Sequence, residues 1–340
     1  MPAFRIAASN MLRELQTCLC AFPGDMLRKR GVRPVAHRGR GRGEGAVRVV
    51  KRQGFRGGMS EFEIRVMTAA EVALAIDWAA AEGWNPGLSD ADLFHRADPE
   101  GFFVALEAGE PVGAVSLVRP TADFAFLGLY MVRPDRRGQG IGSRLWNAAL
   151  EARAARTVGL DGVVERQADY RRSGFALVHR NIRYSGIASV LDGPVAGVRT
   201  VEPGDMAALD RIDTACFGAA RPAFLRSWLT APGHVALLSE GEDGQPTGFG
   251  VLRPCRTGFK IAPLFAETPE AAGRLLAALV AKAGIGEVVM IDLPEPNVAA
   301  RALAEAAGLS PVFETARMYR GPAPALPLDW IFGLTSFELG

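Results

Sequence analysis

Cysteine and histidine are scarce in this 340-residue chain, and neither clusters. Cys18, Cys20, Cys216 and Cys255 are too scattered for a disulfide framework or a zinc site. His37, His95, His179 and His234 have no ligand spacing, so no metal is expected and a reducing, cytoplasmic compartment is the simplest expectation. Long apolar runs are missing too. None approaches the roughly 20 residues of a membrane span, and no membrane partner is expected. Two nucleotide-binding signatures are also absent. Gly138, Gly140 and Gly142 read G-x-G-x-G after an Arg-Pro-Asp-Arg-Arg segment, where a dinucleotide fingerprint needs G-x-G-x-x-G directly after a strand. Gly142-Ser143-Arg144 stands where a triphosphatase loop needs Gly-Lys-Ser/Thr.

What is present suffices for two domains, since 49% of the residues are hydrophobic. The net charge of +2 is unevenly spread: residues 1–58 hold 13 Lys/Arg against 3 Asp/Glu, a net of +10, which leaves −8 for the remainder. Arg28-Lys29-Arg30-Gly31-Val32-Arg33 and His37-Arg38-Gly39-Arg40-Gly41-Arg42-Gly43 are basic, glycine-rich and offer little to bury, so 1–58 is expected to be a disordered extension. A functional reading is a nucleic-acid arm or a targeting peptide. The plainer expectation is that Met59 is the true start, so nucleic acid is not the expected partner.

The chain is organised around Met131–Ser143. Phe124–Val132 reads as a buried strand, and Arg144–Arg153 has apolar residues at helical spacing. Between them lies an arginine- and glycine-rich loop. Alternate glycines let backbone approach an anion, the helix start offers free N–H groups and a positive dipole end, and Arg136 and Arg137 add mobile positive charge. The pattern Val132-x-Pro134-x-x-Arg137-x-x-Gly140-x-Gly142 resembles the acyl-CoA motif of the GNAT superfamily of N-acyltransferases.

Taken in order, Glu63–Val66 reads as a strand, and Thr68 and Glu71 have capping-box spacing before an apolar-periodic helix that stops at Gly83. Trp84-Asn85-Pro86-Gly87 is a turn, and Ser89–Asp92 can cap a short helix. Phe102–Glu107 and Val112–Val118 form a hairpin. After the loop helix, Gly162–Val164 is a short strand candidate, a stretch ending Tyr170-Arg171-Arg172-Ser173-Gly174-Phe175 follows, and Ala176–His179 is a strand. This order suits the GNAT fold, with a closing hairpin still to come.

The remainder looks like a second copy. Val198-Arg199-Thr200-Val201 resembles Ile64-Arg65-Val66-Met67 at an offset of 134, Val235-Ala236-Leu237 resembles Val104-Ala105-Leu106 at 131, and Gly308-Leu309 lies 134 beyond Gly174-Phe175. The join falls near Asp192-Gly193-Pro194. The copy is not chemically equivalent: Ile261–Gly273 replaces the arginine–glycine loop with one glycine and two carboxylates at the helix start, and Ala304 stands at the position of Tyr170. Pro322-Ala323-Pro324 reads as a linker, and Trp330–Phe337 as a last apolar strand. The expected fold class is therefore α/β of the α+β type, with two tandem GNAT-like domains, each a mixed, mostly antiparallel central sheet flanked by helices. The boundaries are 1–58 for the extension, 59–192 for the catalytic domain and 195–340 for a degenerate second domain.

Tandem GNAT proteins exist, and Glu82–Gly87, Asp292–Asn297 and Arg317–Gly321 resemble that group's recurring pieces. The resemblance implies acetyl-CoA as co-substrate, no metal, and a small-molecule amine as acceptor, with homo-oligomerisation left open. It implies that the backbone of Tyr130, Met131 and Val132 pairs with the pantetheine arm. Arg137, Gly138, Gln139, Gly140, Ile141, Gly142 and Ser143 hold the diphosphate, and Tyr170 serves as general acid toward the CoA sulfur. Trp84 and Asn85 are expected to line the acceptor site. The general base is less determined, because Phe124–Tyr130 contains no carboxylate. Asp123 is the nearest acidic candidate, Glu82 and Asp90 flank the Trp84 turn, and a water relay is the alternative. A non-catalytic acyl-CoA-binding protein is the competing reading.

Overall fold

The computed structural model describes residues 49–53, 62–189 and 195–340; the two basic stretches, Cys18, Cys20, His37 and the join at 192–194 lie outside the described residues. Val49–Gln53 forms strand β1, antiparallel to β2 (Phe62–Val66). The expectation that all of 1–58 lacks structure is corrected there. A pair of valines next to an open sheet edge favours strand pairing whatever the charge of the surrounding chain.

The first half then runs α1 (Ala69–Ala81), α2 (Asp90–Ala97), β3 (Phe102–Glu107), β4 (Glu110–Val118), β5 (Phe124–Val132), α3 (Ile141–Ala152), β6 (Thr157–Val163), α4 (Gln167–Arg172) and β7 (Ala176–Ile187). The capping box of α1 forms as its spacing predicts: the Thr68 side chain accepts from the Glu71 N–H, and Glu71 accepts from the Thr68 N–H at 2.8 Å. Ser89 makes no capping bond at α2; Asp90 accepts from the Gly87 N–H instead, at 2.7 Å. Strand β6 begins five residues before the expected Gly162. Gly159 and Gly162 interrupt the apolar pattern that signals a strand, while Val158 and Leu160 are buried.

The second half repeats this order with β8 (Val198–Thr200), α5 (Met206–Phe217), α6 (Pro222–Leu229), β9 (Val235–Glu240), β10 (Pro246–Pro254), β11 (Phe259–Ala266), α7 (Pro269–Ala283), β12 (Val288–Pro294), α8 (Val298–Ala306) and β13 (Ser310–Arg320). A last short strand, β14 (Ile331–Gly333), is shorter than the expected Trp330–Phe337, because only its first residues find backbone partners.

The halves share one sheet, ordered β1-β2-β3-β4-β5-β6-β13-β7-β12-β11-β10-β9-β8 among the described residues. At the centre they exchange strands. β13 of the second half lies between β6 and β7 of the first, and β7 lies between β13 and β12. The closing hairpin expected of the first half is therefore absent, since its place is taken by β13. Neither half can complete its sheet alone.

The exchange buries charge at the seam. Arg183 on β7 binds Asp292 on β12 with two bonds of 2.6 and 2.8 Å, and Lys260 on β11 lies 3.5 Å from the same carboxylate. Arg317 on β13 holds Asp161 on β6 at 2.9 and 2.6 Å. Arg253 on β10, 0% exposed, holds Asp90 at the start of α2 at 2.6 and 2.8 Å. Burial opposes the charge on Asp292, but Arg183 and Lys260 outweigh it and hold the carboxyl at about 2.

Two histidines, His179 buried and His234 half-buried, make stability fall in acid. Burial pushes His179 on β7 and His234 before β9 down to about 4, so both stay neutral in the fold. The unfolded chain takes up these protons from about pH 6.5 downward, so stability is full above that value and falls as pH drops toward about 4. Unfolding midpoints measured across that window should fall with a slope approaching about two protons. A double His179→Gln, His234→Gln variant should flatten it.

Candidate active site

Strand β5 runs parallel to β6 over only four pairs, from Phe124↔Thr157 to Leu127↔Leu160. Beyond Leu127 the strands part. Gly128–Val132 has no partner on that side among the described residues, which leaves a row of backbone donors and acceptors facing an open fork. Leu129 has φ 46°, a left-handed conformation that leucine rarely adopts, and the β4–β5 register slips between Ala114↔Met131 and Ser116↔Gly128. This is a β-bulge, which turns the backbone of β5 toward the fork. Strain of this kind persists where function requires it.

The fork encloses a cleft of about 590 Å³, open solvent included. Gly128, Leu129 and Tyr130 line it from β5, and Asp161, Gly162 and Val163 from β6. Tyr170 closes its floor. Arg183, Phe313 and Thr315 enter from the exchanged strands, Trp84 from the turn before α2, and Phe337 and Glu338 from the segment after β14.

At the mouth of the fork lies the start of α3. Gly138 and Gly140 have φ 80° and 76°, and nothing lies within 4 Å of where their Cβ atoms would be. Both glycines are thus required by backbone conformation, and they leave the helix start open. Gly140 is the N-cap and no side chain caps the helix, so its first N–H groups are available to an anion. Gly142 serves differently: a Cβ there would come within 2.5 Å of the Tyr130 hydroxyl. Ile141 is buried against the core, while Gln139 and Ser143 are exposed. The arginines are tied rather than mobile, which corrects that expectation. Arg136 bonds Glu107 at 2.6 Å, and Arg137 reaches Glu82 and the Val132 carbonyl, the latter at 2.9 Å. An arriving diphosphate would compete with the Glu82 carboxylate for Arg137.

Tyr170 is 8% exposed. Its ring stacks on Trp146 at 5.8 Å and lies over Gly162, where a Cβ would come within 2.1 Å of it. The hydroxyl makes no hydrogen bond among the described residues. Burial, then the neighbouring Tyr130, pushes the phenol up to about 12, so it keeps its proton at neutral pH.

Four candidates read from the sequence do not reach the cleft. Asp123 lies at the opposite end of β5, where the strands are still paired: its carbonyl accepts from the Thr157 N–H, and its side chain is exposed. Six residues of strand separate it from Leu129, roughly 20 Å. The Asn85 amide is fully engaged with Thr257 of the second half, donating to its carbonyl and accepting from its N–H, each at 2.9 Å. It clamps the turn and does not line the acceptor site. Asp90 is sealed against Arg253, and Glu82 is paired with Arg137. Sequence reasoning missed Gly128, Asp161, Arg183, Phe313 and Glu338. Arg183 and Phe313 come from the exchanged strands β7 and β13 and Glu338 from the last segment, while Gly128 on β5 and Asp161 on β6 carry no local motif that marks them.

Among the described residues the second half shows neither the open helix start nor the open fork of the first. The Thr268 side chain accepts from the Ala271 N–H and Pro269 fills the first position, so the start of α7 is already capped. Its fork is also filled: β14 pairs with β11 at Leu264↔Gly333 and Phe265↔Ile331, and the Leu334 N–H donates to the Asp292 carbonyl on β12 at 2.6 Å. No helix among the described residues is long and apolar enough to cross a membrane.

Comparison with known proteins agrees with this geometry. Residues 71–175 match the Acetyltransferase (GNAT) family and residues 209–333 an Acetyltransferase (GNAT) domain. A protein of Pseudoalteromonas sp. (strain SANK 73390) called holothin acyltransferase is 32% identical over 264 residues, covering 78% of this chain and 90% of its own length. A putative acetyltransferase from Pyrococcus horikoshii has the same fold, with a TM-score of 0.71 at 23% identity over 85% of this chain and 99% of that one. A tandem GNAT protein from the clavulanic acid biosynthesis pathway superposes with a TM-score of 0.56 at 17% identity, covering 77% of this chain and 100% of its own. With an open fork in its first half and a filled one in its second, the chain belongs to the GNAT family of acyltransferases, in its tandem form.

Proposed function

We propose that the chain transfers an acetyl group from acetyl-CoA to the primary amine of a small molecule, by direct attack in a ternary complex. The observation that carries this reading is the bulged, unpaired edge of β5 facing the buried phenol of Tyr170 across the fork. In this reading the β5 edge takes the pantetheine as an added strand, and an N–H near the Leu129 bulge polarises the thioester carbonyl. The loop from Arg137 to Ser143 and the open start of α3 hold the diphosphate. Tyr170 delivers a proton to the departing sulfur. Trp84, Phe313 and Phe337 form an apolar wall for the acceptor.

Thiol release from acetyl-CoA, followed across a panel of small primary amines with holothin included, tests the reading. Amine-dependent release is expected. If acetyl-CoA binds and no acceptor is consumed, the chain is an acyl-CoA-binding protein and the enzymatic reading fails. Gly140→Val should weaken acetyl-CoA at least about tenfold in calorimetry, because a β-branched residue resists the left-handed conformation and crowds the cradle.

A further inference from the structure

We propose that Glu338 is the base that takes the proton from the incoming ammonium group, so that the segment after β14 completes the site of the first half. This rests on the amine acylation proposed above.

The path of the chain places Glu338 there. β14 is held in the fork of the second half, and from Leu334 the chain crosses to the fork of the first. Gly128, the residue at which β5 parts from β6, makes room for it. A Cβ on Gly128 would lie 2.2 Å from the Glu338 carbonyl oxygen. Phe337 packs under the Arg183 guanidinium, 5.0 Å from its ring centre, which fixes the segment laterally. Glu338 is 5% exposed and is among the residues that line the cleft.

Its partners, or the lack of them, set it apart. Asp90, Asp161 and Asp292, the other buried carboxylates of the seam, are each held by an arginine. Glu338 forms no ion pair among the described residues, and its Oε2 is buried without a hydrogen-bond partner. A buried acceptor left unpaired costs stability unless a ligand supplies the donor. The charged groups facing it are Lys260, Asp90, Arg253 and Arg183, and the three cations are already engaged by Asp90 and Asp292. Burial raises its pKa above the usual carboxylate range, with the cations opposing. A carboxylate so placed accepts a proton more readily than one in water. The ligand that fits is a cationic primary amine on a flat apolar body, because the neighbouring walls are Trp84, Phe313 and Phe337.

The step balances. A Glu338 carboxylate oxygen takes one proton from R–NH₃⁺, and the freed lone pair attacks the thioester carbon. The C–N bond forms, the C–S bond breaks, and the sulfur takes the Tyr170 proton. The surplus proton on nitrogen returns through water to the Tyr170 phenolate, and Glu338 releases its own to solvent. The products are the amide and CoA thiol.

The test compares wild type, Glu338→Gln and Glu338→Asp in the full chain, with tyramine, tryptamine and spermidine, from pH 6 to 10. For Glu338→Gln, kcat/KM at pH 7 should fall about 10²-fold or more, with acetyl-CoA affinity unchanged. The deficit should shrink at high pH, where solution deprotonates the amine, and Glu338→Asp should recover part of the activity. Full turnover of Glu338→Gln at pH 7, or an equal loss at every pH, overturns the proposal. So does loss of acetyl-CoA binding in both variants, since the carboxylate would then be serving the seam. Wild type that releases no thiol with any amine overturns the acylation reading, and the role of Glu338 with it.

Discussion

Replacing Tyr170 with phenylalanine should lower kcat/KM by about 10²- to 10³-fold and leave acetyl-CoA affinity within about twofold. The variant keeps the ring, and the ring is what packs: it stacks on Trp146 and fills the space over Gly162. The hydroxyl makes no hydrogen bond among the described residues, so its loss removes little stability. What disappears is the proton that the proposed mechanism sends from Tyr170 to the departing thiolate. Because burial holds the phenol near 12, it is protonated across the working range, and no limb of the pH profile below about 9 should arise from it. Steady-state kinetics with calorimetric acetyl-CoA binding separates the two effects. Turnover equal to wild type would leave Tyr170 as a packing residue only.

The second large effect concerns stability. Asp90→Ala should destabilise the protein by about 3–5 kcal/mol, because it leaves a guanidinium buried without an anion. Arg253 is 0% exposed, Asp90 is its only ion-pair partner among the described residues, and its Nε and Nη2 already lack hydrogen-bond partners. The same carboxylate accepts from Gly87, so the turn bearing Trp84 loosens as well. Removing both charges together, as Asp90→Leu with Arg253→Met, should cost far less than the single change. Denaturant unfolding of the three proteins measures this. A loss under about 1 kcal/mol for Asp90→Ala would mean that water reaches Arg253 and the pair is not sealed.

Much of the fold was legible from local signals. Capping-box spacing found α1, turn residues found the β3–β4 hairpin, and the repeat offsets found the duplication, because each is set by interactions within a few residues or copied with the segment. The glycine loop was legible for the same reason. The strand exchange was not, since only Ala176–His179 of β7 reads as a strand, and an apolar pattern does not say which half of a chain supplies the neighbour. Asp123 was misjudged as a base because proximity to β5 in sequence was taken for proximity to the fork. A strand carries its two ends roughly 3.3 Å per residue apart, so one residue of β5 can lie at the chemistry and another well away from it. Asn85 was misjudged because a turn amide can face solvent or a partner, and here the partner lies in the other half of the chain.

By itself the sequence determined the reaction family, through its resemblance to the GNAT motif, the tandem architecture, through its repeat offsets, and the half that carries the arginine–glycine loop. The contrast between the halves follows from short-range geometry: left-handed glycines and an uncapped helix start, replaced in the copy by Thr268 and Pro269. Only the tertiary structure decided what surrounds the fork. It brought Arg183, Phe313 and Glu338 to the fork from positions far along the chain, and it filled the second fork with β14. The physical reason is that an open strand edge accepts whatever backbone packing brings to it, and that choice is made by the whole sheet.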